Sequence, residues 1–201
     1  WLHDARFQWQ LGEWLAPGEG LLAPGATLLT PELVASCSTA GLNGLAANFH
    51  AELRSRLHWN GGAMKPRPVH LNTWEGFYFD LHPGPVKELA TAAAALGIER
   101  FVLDDGWFHG RHHDRAALGD WWPDEIKFPQ GLGELIAHVN GLGMEFGLWV
   151  EPEMVNPDSE LFRSNPDWAL QLEGRPLLTM RNQLVLDVAR PDVADYLFAK
   201  L

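Results

Sequence analysis

Two joints constrain this chain more than anything else in it: Leu96-Gly97-Ile98-Glu99 and Leu142-Gly143-Met144-Glu145. Each closes an apolar helical pattern with glycine and opens a short apolar run, and the two lie about 46 residues apart. Glycine ends a helix in the left-handed conformation that other residues avoid. A helix stopped in this way and followed at once by a strand, twice at one spacing, describes successive βα units of a parallel sheet. The periodicity predicts helices over Val86–Leu96, with Val86, Leu89, Ala90 and Ala93 inward, and over Leu132–Leu142, with Leu132, Leu135, Ile136, Val139 and Leu142 inward. It predicts strands over Val69–Trp74, Ile98–Leu103 and Met144–Val150. The fold class is therefore α/β.

Each predicted strand ends in polar or aromatic residues. The first ends in Asn72, Trp74 and Glu75, the second in Asp104-Asp105-Gly106-Trp107, and the third in Trp149 and Glu151-Pro152-Glu153. In a (β/α)8 barrel the chemistry sits at that end of the strands. A doubly wound sheet fits the local pattern too, but no G-x-G-x-x-G turn follows any strand, which argues against a dinucleotide site. Further on, a short helix is expected at Ser159–Ser164, a strand at Gln183–Asp187 and a helix over Pro191–Leu201.

The first part of the chain has a different period. Phe7, Trp9 and Leu11 alternate with Gln8, Gln10 and Gly12, as in a half-buried strand, and Ala26–Thr30 fits a second strand. Pro17-Gly18 and Pro24-Gly25 are turn signals. Leu42, Leu45, Ala46, Phe49, Leu53 and Leu57 recur three and four apart, which predicts an amphipathic helix over Ala40–Trp59 capped by Ser38 or Thr39. Asn60-Gly61-Gly62 ends that helix, and Lys65-Pro66-Arg67-Pro68 is a stiff linker. The reading is residues 1–62 as the end of a β-domain with a linking helix, and 63–201 as the first part of a barrel.

Composition narrows the function. A net charge of −11 with scattered basic residues argues against nucleic acid, whose phosphates call for clustered Lys and Arg. No apolar run reaches the ~20 residues of a membrane span, and the first residues lack the pattern of a signal peptide. Cys37 is the single cysteine, so no internal disulfide is expected, and a reducing cytoplasm is the location inferred. Because the sequence does not begin with methionine, the expectation is a processed or excised piece.

Ten tryptophans are available to cover the apolar face of a sugar ring. Beside them the strand ends collect Glu75, Asp104, Asp105, Glu151 and Glu153, with Arg181 on a loop. Carboxylates accept paired hydrogen bonds from vicinal hydroxyls, so this is a carbohydrate-site inventory. Glycoside hydrolysis also needs two carboxyl groups across the scissile bond. Whether Asp104 and Asp105 catalyse or only bind is left open, although neighbours on a strand point to opposite faces. Pro152 between Glu151 and Glu153 suggests a structural kink. His109, His112, His113 and Asp114 are metal-ligating types, but no partner at helical spacing accompanies them, so no metal is assigned. Trp121 and Trp122 fit pocket walls and loop anchors equally.

Six stretches, N-T-W-E at 72–75, F-V-L-D-D-G-W at 101–107, L-G-D-W at 118–121, F-G-L-W-V-E-P-E-M-V-N-P-D-S at 146–159, N-P-D-W-A-L at 165–170 and R-N-Q-L-V-L-D at 181–187, together resemble the bacterial α-galactosidases of glycoside hydrolase family 36. The resemblance runs in order from about residue 36, and G-L-N-G-L at 41–45 resembles that family's helix between an N-terminal β-supersandwich and the catalytic barrel. It implies a partial (β/α)8 TIM barrel preceded by the C-terminal end of a β-supersandwich. It implies retaining hydrolysis of terminal α-linked galactose, as in melibiose and raffinose-type oligosaccharides, without a cofactor, by a protein that is a homo-oligomer at full length. Asp104 and Asp105 would bind galactose hydroxyls, Trp74 and Trp149 would shape the pocket, and Arg181 would contact the sugar. The family's nucleophile is the aspartate of a K-W-D motif. No K-W-D occurs here, so neither nucleophile nor acid/base is assigned, both are expected beyond Leu201, and these residues alone are expected to be inactive. The competing readings are a galactosyl transferase or synthase on the same scaffold, a non-catalytic sugar-binding protein, and an enzyme of different α-glycoside specificity.

Overall fold

The computed structural model describes residues 2–3, 6–7, 9–15, 18, 20–59 and 61–201; Gln8, Pro17 and Asn60, which entered the reading above, lie outside them. Contacts divide the chain into two compact units, Trp1–Lys65 and Pro66–Leu201.

In the first unit β1 (Leu2–His3) pairs antiparallel with β2 (Arg6–Phe7), and α1 covers Gly41–Arg56. The alternation around Phe7 does not extend into a strand at Trp9 and Leu11, and no strand forms over Ala26–Thr30. Alternation marks a face to be buried, but a strand also needs a neighbour for its backbone groups. Trp9 and Leu11, 84% and 70% exposed, have no such cover. Helix α1 has the predicted period, yet none of its residues is buried. Its N-cap is Ala40 instead of Ser38 or Thr39; the Ser38 hydroxyl accepts the Ala40 N–H at 3.0 Å. Glu52 and Glu32 both accept from Arg56.

The second unit is built on β3 (His70–Asn72), β4 (Arg100–Leu103) and β5 (Glu145–Leu148), a parallel sheet in the order β3-β4-β5. Leu71 pairs with Phe101, and Phe101 with Phe146. Between β3 and β4 come α2 (Trp74–Phe77) and α3 (Pro83–Ala95), and between β4 and β5 comes α4 (Gly133–Gly141). Trp74, expected to end the first strand, instead opens α2, because the Asn72 side chain takes the Trp74 N–H at 2.8 Å and turns the chain.

Both joints behave as the repeat implies. Gly97 and Gly143 have φ of 85° and 82°, and Ile98 and Met144 return N–H groups to Ala93 and Val139. Helix α3 buries Val86, Ala90 and Ala93, and α4 buries Leu135 and Val139. They pack with Phe101 and Leu103 of β4 in the core, and Lys87 and Glu134 join the two helices at 3.1 Å. Fully burying a Val, Leu or Phe side chain, as at Val86, Leu135, Val139, Phe101 and Leu103, contributes about 1.5–3 kcal/mol each.

After β5 the chain forms β6 (Met154–Val155), α5 (Glu160–Ser164), a 3-10 turn at Pro166–Trp168, β7 (Leu184–Val185) and α6 (Pro191–Lys200). β6 and β7 pair antiparallel, so this stretch folds back on itself outside the parallel sheet. Ser159 caps α5 by accepting the Phe162 N–H at 3.0 Å. Among the described residues no helix is long and apolar enough to cross a membrane.

Candidate active site

The C-terminal ends of β3, β4 and β5 open on a cleft of about 620 Å³, a size that takes a small ligand. Asn72, Trp74, Glu75, Phe79, Asp104, Asp105, Asp114, Trp149 and Arg181 line it. Trp74, Asp104, Asp105, Trp149 and Arg181, singled out from the sequence, thus share one cavity with Glu75.

The two aspartates stand at the tip of β4 and are held differently. Asp104 accepts from the Asn72 amide at the tip of β3 and from the Asp105 N–H, while its own N–H donates to the Thr73 hydroxyl at 2.9 Å. Asp105, 5% exposed, accepts two bonds of 2.8 Å from the Nε and Nη2 of Arg111. A carboxylate has about four acceptor positions. Each aspartate here spends two on the protein.

Arg111 went unrecognised in the sequence, where H-G-R-H-H-D looked like a loop of metal-capable residues. Its side chain has no exposed surface. Nη1 donates to the Ala116 carbonyl at 2.7 Å and to Asn156 Oδ1 at 3.2 Å, and the guanidinium lies 5.5 and 5.6 Å from the ring centres of Phe79 and Phe108. Two buried acids at one strand tip require a cation nearby, and that was the available signal. Lys127 supplies a second buried cation. Its Nζ donates to the carbonyls of Phe79, Gly106 and Arg111 at 2.9, 2.7 and 2.8 Å, and burial pulls its pKa below the usual lysine value. The ammonium thereby ties together the segments that carry Phe79, Asp105 and Arg111.

The loop after β4 turns on Asp124. Burial would raise its pKa, but N–H donations from Lys127, Gly110 and Ile126 outweigh that and lower it. The histidines of this loop face separate partners: His109 stacks on Trp122, His112 lies 3.5 Å from Asp124, and His113 accepts from the Arg115 N–H. Among the described residues no three His, Cys, Asp or Glu side chains gather as metal ligands. Trp121 is 3% exposed and packs with Trp107, Phe108 and Trp149, which makes it a wall behind the cleft; Trp122 is half-buried.

Trp74 meets Tyr78 and Phe79 edge-on at 5.1 and 5.2 Å, and Tyr78 donates to Glu75 at 2.9 Å. Tyr78 has φ 47° and ψ −125°, a conformation costly for any residue with a Cβ, and the Asp80 N–H to Phe77 carbonyl bond closes the turn around it. Arg181 is strained as well. With Asn182 it forms a two-residue turn with φ of 54° and 58°, closed by the Gln183 N–H to the Met180 carbonyl at 3.0 Å. Asparagine suits such a turn and arginine does not. Beside Arg181, Glu151 has its pKa raised by burial, with Arg181 acting in the opposite sense, and its Oε2 has no hydrogen-bond partner among the described residues.

The family model that matches this chain is Melibiase, over residues 27–201. The chain belongs to the melibiase family. This melibiase-family chain is 53% identical over 184 residues to an alpha-galactosidase of Escherichia coli, covering 92% of the chain and 26% of that relative. It is 50% identical over 177 residues to the alpha-galactosidase AgaA of Geobacillus stearothermophilus, covering 88% of the chain and 24% of AgaA. Among solved structures, the GH36 alpha-galactosidase AgaB of Geobacillus stearothermophilus superposes with a TM-score of 0.74 at 50% identity, over 80% of this chain and 22% of AgaB. An AgaA variant in complex with raffinose gives 0.74 at 49% identity, over 79% of this chain and 22% of that one. The chain thus spans about a quarter of the length of these relatives.

Proposed function

We propose that the protein carrying this chain is an α-galactosidase that removes terminal α-linked galactose from raffinose-type oligosaccharides. The observation that carries the reading is the cleft itself, in which two tryptophans, paired aspartates and an arginine converge at the strand tips of a melibiase-family chain. In this reading Asp104 and Asp105 accept galactose hydroxyls, Trp74 and Trp149 cover the apolar parts of the ring, and Arg181 donates to the sugar. The raffinose bound in the AgaA variant supports the substrate class. Nucleophile and acid/base are assigned to residues after Leu201, and a retaining double displacement by two carboxyl groups about 5–5.5 Å apart completes the proposal. The parallel sheet with its βα units is read as part of a (β/α)8 barrel, and the first unit as the end of a β-supersandwich. A homo-oligomer in a reducing cytoplasm is the setting proposed.

The test is hydrolysis of p-nitrophenyl α-D-galactopyranoside and raffinose by the protein that carries this chain, with proton NMR of the first product anomer. The expected result is turnover with α-galactose appearing first, and a fall in kcat/KM of about a hundredfold for Asp104→Ala, from lost bonds to a charged acceptor worth about 1.5–3 kcal/mol each. Oligosaccharide lengthening in place of hydrolysis would replace the reading with a transferase. Galactose binding without turnover would replace it with a sugar-binding protein.

A further inference from the structure

The Asp105–Arg111 pair does not end at arginine. Asn156, fully buried, follows β6 directly. Its Oδ1 accepts from Arg111 Nη1 at 3.2 Å and from the Leu118 N–H at 2.9 Å, and its Nδ2 donates to the Asn182 carbonyl at 2.7 Å. Two donors on one side and a carbonyl on the other fix which way the amide faces. One planar group therefore joins the buried pair under the cleft to the turn that carries Arg181. That turn holds Arg181 at a φ of 54°, which a non-glycine residue keeps only where surrounding bonds impose it.

We propose that Asn156 is a positioning residue for Arg181, setting the guanidinium against Asp105 so that both reach one galactoside ring. This rests on the α-galactosidase reading and extends it. A dimension of the substrate, the span between the hydroxyls read by Asp105 and by Arg181, is then fixed by a side chain that touches neither the sugar nor Arg181's own side chain.

Asn156→Asp tests it in the protein that carries this chain. Aspartate keeps the acceptor for Arg111 and Leu118 but places an oxygen against the Asn182 carbonyl, cutting the tie to the turn. Asn156→Ser, smaller and uncharged, is measured beside it so that a fold lost to the new acid is not mistaken for the effect. The expected result is a fall in kcat/KM of about ten- to a hundredfold, mostly through KM, with no further fall when Arg181→Ala is already present. Hydrogen exchange in the peptide around 180–186 should quicken in both variants, although the Asn182 side chain still donates to the Arg115 carbonyl at 3.0 Å. An equal loss with and without Arg181, or unchanged exchange in that peptide, overturns the proposal. An inactive parent overturns the α-galactosidase reading instead, and the exchange result still decides whether Asn156 holds the turn.

Discussion

Replacing Arg111 by methionine removes a cation with no solvent contact and leaves Asp105, 5% exposed, without the donors that filled two of its acceptor positions. Breaking one side of a buried ion pair costs about 3–5 kcal/mol, most of it the price of an unpaired charge. Asp105→Asn strands the guanidinium between Phe79 and Phe108 and costs a similar amount. In the double variant no charge is stranded, and what remains is the loss of bonds to Ala116 and Asn156, about 1 kcal/mol each. The double variant should therefore be less destabilised than the sum of the singles by about 3 kcal/mol or more. Urea unfolding followed by tryptophan fluorescence, on all four forms of the protein that carries this chain, measures the difference. The double variant should regain stability and stay without activity, since the acceptor it lost faced the cleft. Additivity to within about 0.5 kcal/mol would refute the reasoning, because independent sites add and a coupled pair does not.

Alkaline pH provides another test. The Tyr196 hydroxyl donates to the Gly119 carbonyl at 3.0 Å, and burial together with Asp120 pushes its pKa up to about 12. An unfolded tyrosine ionises near 10, so this group's contribution to stability is intact below pH 10 and is lost as pH rises from about 10 to about 12. Tyr196→Phe should flatten the decline of the urea midpoint across that window, and an unchanged slope would remove Tyr196 as its source. Arg181→Gly addresses backbone strain: stability should hold or rise by up to about 1 kcal/mol, since φ 54° costs glycine nothing, while KM for an α-galactoside rises. A marked loss of stability would show that the turn depends on the arginine side chain.

The sequence exposed what repeats and what alternates. Gly97 and Gly143 announced the helix-to-strand joints, and the apolar runs ending in Asp104-Asp105 and Trp149 announced which strand tips carry the cleft, because both signals arise within a few residues. Arg111 and Lys127 stayed hidden because their bonds reach back across loops to Asp105, Gly106 and Phe79, and a loop's path has no period. Asn156 was visible only as one letter of a motif. Trp74 was misplaced by one element because a single side-chain bond from Asn72 turned strand into helix. Residues 9–11 and 26–30 show the converse: a pattern legible in sequence forms no strand where no neighbouring strand completes it.

Under the α-galactosidase proposal, the charge of the cleft's lining bears on which sugars it would refuse. Asp105 and Arg111 cancel each other, which leaves Glu75, Asp104 and Asp114 facing Arg181, an excess of negative charge around the space a ring would fill. A neutral hexose enters such a field freely, and an analogue with a protonated ring nitrogen is drawn in. A uronic acid or sulfated sugar of the same shape must bring its own anion against three others. Under the α-galactosidase proposal, discrimination between galactose and its acidic relatives would begin in the charge of the walls, before any hydroxyl is matched.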